Sequence, residues 1–163
     1  AGTWDESPGG GAPVRVLGGK TLLIAGLGGI GTEVARRAHA LGMHVVATRA
    51  SDRPGPPFVE YVGKPAELLA LAARADAVVA ALPLTTDTRG LFDAKFFAAL
   101  KRGAYFVNLG RGQSVITGDL LAALQSGHVG GAARDVKSMT ARQVCPGLGA
   151  LWPAGRRPAG IMA

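Results

Sequence analysis

Thr21-Leu22-Leu23-Ile24-Ala25-Gly26-Leu27-Gly28-Gly29-Ile30-Gly31 decides the fold of this 163-residue chain. The apolar run from Thr21 to Ala25 reads as a buried strand and feeds directly into Gly26-x-Gly28-x-x-Gly31. That spacing, at the end of a strand and the start of a helix, gives each glycine its own job. Gly26 permits a tight turn, Gly28 lets a pyrophosphate approach bare backbone, and Gly31 lets the helix pack closely on the sheet. The amides at the helix start, around Gly29 and Ile30, then face negative charge. A dinucleotide site is the expectation, and a glycine turn with no ligand is the bland alternative.

Working outward, Val34, Ala35, Ala38 and Leu41 recur at helical spacing, with Glu33, Arg36 and Arg37 on the other side. Gly42 stops that helix, and His44 to Thr48 reads as a second strand. Arg53-Pro54-Gly55-Pro56-Pro57 excludes regular structure. Phe58 to Val62 is a short third strand, and Pro65 opens a helix through Ala75 that buries Leu68, Leu69 and Leu71. Asp76 to Leu82, Ala104 to Asn108 and Gly130 to Val136 read as further strands. Helices at Asp93 to Leu100 and Asp119 to Gln125 alternate with them. Strands apolar on both faces and alternating with helices imply an α/β fold, a Rossmann-type doubly wound parallel sheet in three α/β/α layers. In such sheets ligands sit beyond the carboxyl ends of the strands. Gly26 to Gly31, Thr48 to Ser51, Leu82 to Thr85 and Asn108 to Gly112 should therefore meet in one crevice.

Residues 1–16 read as a Gly/Pro-rich lead-in, 17–136 as the dinucleotide-binding domain and 137–163 as an atypical tail. The net charge is +7, yet residues 1–136 hold fourteen basic and eleven acidic groups, with no basic stripe interleaved with aromatics. Nucleic acid is not the expected partner. No apolar run approaches a membrane span, so no membrane partner is expected. The opening residues lack the pattern of a secretory signal, and the lone Cys145 offers neither an internal disulfide nor a metal cluster. A cytoplasmic protein is the expectation.

Four segments in order resemble the cofactor domain of the D-isomer-specific 2-hydroxyacid dehydrogenases, from about Leu17 to Val136. They are Gly18-Gly19-Lys20-Thr21 at the entry to the first strand, Leu82-Pro83-Leu84-Thr85 with Thr88 and Arg89-Gly90-Leu91-Phe92, Phe106-Val107-Asn108-Leu109-Gly110-Arg111-Gly112, and Gly131-Ala132-Ala133-Arg134-Asp135-Val136. The resemblance implies that Arg111 grips the carboxylate and carbonyl of a 2-oxo acid, a pairing suited to a guanidinium fork. It implies that Asp135 lies near the nicotinamide, and that Asn108 holds the Arg111 loop in place. Leu82, Pro83, Thr85, Thr88 and Gly110 fall on the expected cofactor surface. The resemblance also leaves room for a homodimer formed through this domain.

The end of the second strand selects the dinucleotide. A site for NAD(H) ordinarily places an acid there for the ribose 2′-hydroxyl. This chain has Arg49 between Thr48 and Ser51, with Asp52 the nearest acid. A cation beside hydroxyls favours NADP(H), with NAD(H) the alternative.

The chain also departs from the family. Lys137-Ser138-Met139-Thr140-Ala141 stands where a glutamate segment is expected, and no later histidine follows. His39, His44 and His128 do not match the family's acid/base histidine and read as surface or packing residues. Ala, Gly, Pro and Arg make up more than half of residues 137–163, which contain no acid. The expectation is a frameshifted or artefactual tail on a fragment of a longer enzyme, catalytically incomplete alone. The leading reading is the cofactor half of an oxidoreductase that moves hydride between a nicotinamide and a small 2-hydroxy or 2-oxo acid. A non-catalytic dinucleotide sensor or corepressor-like module is the second. A related dinucleotide domain, such as that of adenosylhomocysteine hydrolase or alanine dehydrogenase, is the third, disfavoured by the Asn108 to Gly112 segment.

Overall fold

A computed structural model describes residues 16–134. Six parallel strands form one sheet in the order β3-β2-β1-β4-β5-β6. They are β1 (Thr21–Ala25), β2 (His44–Thr48), β3 (Tyr61–Gly63), β4 (Ala77–Ala80), β5 (Ala104–Asn108) and β6 (Val129–Arg134). The helices are α1 (Gly29–Ala40), α2 (Leu68–Ala72), α3 (Ala94–Ala99) and α4 (Thr117–Gln125). The chain winds outward from β1 to β3, then returns to β1's other side with β4. Connections therefore leave in opposite directions between β1 and β4, the switch point where such sheets open a crevice.

The strands alternate between two cores, as period-2 side chains require. Leu22 and Ile24 face Ala35 and Ala38 of α1, whereas Leu23 and Ala25 join the core under α2, α3 and α4. That second core holds Phe92, Phe96, Phe97 and Phe106, all fully buried. Their rings contact edge-to-face or tilted, with centroids 4.8 Å apart for Phe92–Phe96 and 5.3 Å for Phe97–Phe106. Each such ring contributes on the order of 2–3 kcal/mol by burial, so this cluster anchors β5 and the helices that follow β4. Among the described residues, no helix is long and apolar enough to cross a membrane.

Helix α1 is positioned by glycine geometry. Gly26 has φ +100°, and a Cβ there would lie 2.8 Å from the Ala81 carbonyl oxygen. A Cβ on Gly31 would lie 2.1 Å from the Gly26 carbonyl oxygen. No side chain fits either place.

Several expectations need correction. The third strand begins at Tyr61, not Phe58. The helix expected from Pro65 to Ala75 divides into a 3-10 turn, Pro65–Glu67, and α2. Leu69 is 47% exposed and Leu41 60% exposed, because each points away from the face that meets the sheet. Helix α4 starts at Thr117, and β4 is shorter than the apolar run that contains it. The tail and Asp135 lie outside the described residues.

At the amino edge of the sheet, Asp76 accepts the Thr21 amide at 2.9 Å and pairs with Lys101 at 3.2 Å. Partial burial pushes its carboxyl upward, but the Thr21 amide, Lys101 and Lys20 together outweigh burial and hold it below the ordinary value. A depressed carboxyl contributes stability above its unfolded pKa and loses it as pH falls through the folded one. Asp76→Asn should therefore cost about 1 kcal/mol at neutral pH and flatten the loss of stability below about pH 4, read by denaturant titration across pH. An unchanged acid limb would refute this role. Gly31→Ala should cost roughly 3 kcal/mol, the upper range of overpacking, read as a fall in melting temperature. An unshifted melting curve would show that the helix does not need this close approach.

Candidate functional site

The expected loops meet beyond the carboxyl ends of β1, β2, β4 and β5. The Thr48 carbonyl accepts the amides of Gly26 at 3.2 Å and Leu27 at 3.1 Å, tying the glycine turn to the end of β2. On its other side, that turn lies against Ala81 and Leu82. Leu82 in turn touches the loop after β5, since a Cβ on Gly110 would lie 2.6 Å from the Leu82 carbonyl oxygen. The four loops form one continuous rim.

The centre of that rim is bare. Gly28 caps α1 without a side-chain hydrogen bond, and no acid occupies the first turn. The helix therefore places no anion of its own at its partial positive end. Gly28 has an ordinary φ of −89°, and a Cβ built on it meets nothing within 4 Å. Neither backbone conformation nor packing explains this glycine, whereas a ligand lying on the main chain would. Gly29, Ile30 and Gly31 form the first turn, with Ile30 62% exposed at its edge. A pyrophosphate fits such a cradle.

Arg49 is half-buried and folds back over the glycine turn. Its Nε and Nη2 donate to the Leu27 carbonyl at 3.0 and 2.6 Å. Its Nη1 donates to the carbonyls of Arg53 at 3.0 Å and Pro54 at 3.2 Å. These bonds fix the guanidinium without neutralising it. Beside it, a pocket of ≈ 410 Å³ is lined by Arg49, Ser51, Asp52, Tyr61, Gly63 and Lys64, among others. Lys64 pairs with Asp52 across the pocket and holds the Asp52 carboxyl below the usual aspartate range. Sequence reading missed Lys64, which is near Arg49 only because β3 pairs with β2.

The loop after β4 is shaped by its own threonines. Thr88 Oγ1 donates to the Pro83 carbonyl at 2.6 Å and accepts the Thr85 amide at 2.8 Å. The Arg89 guanidinium then donates to Gln113 Oε1 at 3.0 Å, and the Phe92 amide to the Ser114 carbonyl at 3.0 Å, stitching this loop to the next. Asn108, fully buried at the end of β5, accepts the Gly110 amide at 2.9 Å and donates to the Arg111 carbonyl at 3.1 Å. The buried Ser114 hydroxyl donates to the same carbonyl at 2.7 Å. Sequence reading found Asn108 but missed Ser114. With the Ser114 amide also donating at 3.1 Å, the Arg111 carbonyl is held three times, while the exposed guanidinium has no partner among the described residues.

The histidines lie elsewhere. His44 Nδ1 is 2.6 Å from Glu60, His128 Nε2 is 2.9 Å from the Leu100 carbonyl, and the His39 ring packs near Phe58. All three are at or near the amino edge of the sheet, opposite the crevice. Among the described residues, no group of His, Cys, Asp or Glu could hold a metal. The arrangement can bind an anionic ligand along α1 and present one unpaired cation at Arg111.

Residues 1–144 match the family model of the D-isomer specific 2-hydroxyacid dehydrogenase NAD binding domain. Glyoxylate/hydroxypyruvate reductase B of Salmonella paratyphi B is 40% identical over 136 residues, 83% of this chain and 42% of that protein. The NADPH-dependent glyoxylate/hydroxypyruvate reductase of Sinorhizobium meliloti superposes with a TM-score of 0.67 at 36% identity, covering 75% of this chain and 50% of that one. Phosphoglycerate dehydrogenase of Lactobacillus plantarum superposes with a TM-score of 0.72 at 36% identity, covering 80% of this chain and 43% of that one. The chain spans half or less of the length of these three relatives. With its parallel sheet, bare glycine turn and Asn108–Arg111 loop, the chain belongs to the D-isomer specific 2-hydroxyacid dehydrogenase family, whose NAD-binding domain it carries.

Proposed function

We propose that this domain binds NADP(H) in preference to NAD(H), as the cofactor half of an enzyme interconverting a 2-hydroxy acid and its 2-oxo acid. The bare Gly28 main chain at the uncapped start of α1 carries the reading. The pyrophosphate would lie there, where amides and helix dipole offer positive charge that needs no reorganisation. The adenosine end would extend toward Thr48, Arg49 and Ser51. A guanidinium already fixed by three carbonyls offers its charge to a 2′-phosphate at little entropic cost. Position 49 carries no carboxylate for a bare 2′-hydroxyl, and the pocket's Asp52 is paired with Lys64.

The bound nicotinamide supplies the hydride chemistry. The protein's part is position and charge. Leu82 to Thr88 and Gly110 line the route to the ring, and Asp135 is proposed beside it. Arg111 is proposed to hold the substrate's carboxylate and the carbonyl oxygen on which negative charge develops. Asn108 and Ser114 keep that arginine's backbone in place. The substrate class, a small 2-oxo or 2-hydroxy acid, and the homodimer rest on family membership.

Calorimetric titration with both reduced cofactors tests the reading. Gly28→Ala should keep the wild-type melting temperature but weaken NADPH binding by roughly tenfold or more. Equal affinity in wild type and Gly28→Ala would sink the cradle. Arg49→Asp should lower the NADPH-to-NADH affinity ratio by roughly 10–100-fold, the value of a lost charge-assisted hydrogen bond. Because Arg49 also braces Leu27, both affinities should fall somewhat, and the ratio is the informative quantity. An unchanged ratio would remove Arg49 from phosphate recognition.

A further inference from the structure

We propose that Lys64 is a second residue selecting for a 2′-phosphate, and that Asp52 holds its ammonium in the place the phosphate takes over. This rests on the NADP(H) reading above and names a residue beyond Arg49. In the β2–β3 pairing Thr48 stands opposite Gly63, and the Arg49 amide donates to the Gly63 carbonyl at 3.0 Å. Arg49 and Lys64 are therefore the next residues beyond one shared rung, at the carboxyl edge of the sheet. Both line the same pocket, as does Ser51.

The Lys64 backbone is pinned. Its amide donates to Glu67 Oε1 at 2.7 Å, and Glu67 is itself bonded to the Tyr61 hydroxyl at 2.6 Å. Only the flexible stem reaches over the pocket, where Nζ lies 3.5 Å from the Ala50 carbonyl and pairs with Asp52. That pair is weakly held: the Asp52 side chain is 94% exposed and the Lys64 side chain 50%. Exposed ion pairs lose little when one partner is exchanged, because water already screens them. A phosphate monoester carries close to two charges and three acceptor oxygens. Once the guanidinium and the Ser51 hydroxyl position it, it outcompetes one solvated carboxylate for the ammonium. Asp52 then remains as a like charge beside the phosphate and opposes it. Lys64 raises affinity for the phosphorylated cofactor, and Asp52 sets how far.

The full chain and its variants would be titrated by calorimetry with NADPH, NADH and inorganic phosphate. Lys64→Gln keeps the backbone bonds of Lys64 and should weaken NADPH binding by roughly five- to tenfold while leaving NADH affinity unchanged. Asp52→Asn should strengthen NADPH binding severalfold, and this gain should shrink in the double variant, since much of it acts through Lys64. If wild type prefers NADPH but Lys64→Gln keeps the full preference, the Lys64 assignment fails and the Arg49 reading stands. If wild type does not discriminate between the cofactors, the NADP(H) reading fails and takes this one with it. If inorganic phosphate blocks the pocket as strongly as NADPH does, the pocket is a general anion trap and the selectivity claim is overturned.

Discussion

The contact between the Gly31 Cα and the Gly26 carbonyl controls this domain. With 2.1 Å available to a Cβ at Gly31, the first turn of α1 can sit on the strand end only if that position carries no side chain. This closeness brings the helix start to the carboxyl edge of β1, beside the point where the sheet's connections diverge. A helix displaced by one methyl group would still pack Ala35 and Ala38, but its amides would no longer point into the crevice. Packing and ligand geometry are thus one constraint. The structure separates them at Gly28, where a Cβ meets nothing within 4 Å and packing sets no limit.

The rest of the rim is built by spending side chains on backbone. Arg49 braces Leu27, Thr88 braces Pro83, and Asn108 and Ser114 brace Arg111. Loops held this way meet a ligand with little ordering left to do, which lowers the entropic cost of binding. Arg111, in the loop after β5, is the exception, with its carbonyl fixed and its guanidinium unpaired among the described residues. A charge left in water on a braced stem suits a partner that arrives from outside this domain.

The sheet and the glycine turn were legible because their causes are local in sequence. An apolar run of strand length and glycines at fixed offsets meet their constraints within a few residues of one another. Asn108 and Arg111 were legible through a resemblance, and the structure supplies the physical link that the motif does not state. Leu41 and Leu69 were misread because helical spacing gives a face but not its width, and each falls just beyond the sheet's edge. The short third strand was misplaced because β3 pairs over only three residues, too few to leave a periodic trace. Lys64 could not be found without the strand order, because fourteen intervening positions separate it from Arg49. Ser114 hid for a related reason: its hydroxyl acts on a carbonyl within its own loop, and sequence alone does not show which way that loop folds.

The two edges of the sheet divide the chemistry. Cations and open amides collect at the carboxyl edge: α1's start, Arg49, Lys64 and Arg111. At the amino edge, Asp76 ties the starts of β1 and β4 to Lys101, and His44 and His128 are bound to neighbours there. Parallel strands impose this polarity, since every helix that follows a strand begins at the carboxyl edge and every return loop ends at the other. The described residues therefore suit binding anions and orienting a carbonyl, and the titratable pair there, Lys64 and Asp52, belongs to the pocket beside Arg49. Under the proposed reaction, hydride transfer needs a proton donor on the substrate oxygen as well as a charge on its carboxylate. Arg111 can supply only the charge, because a guanidinium does not release its proton. Among the described residues, no histidine stands at the crevice to supply that proton.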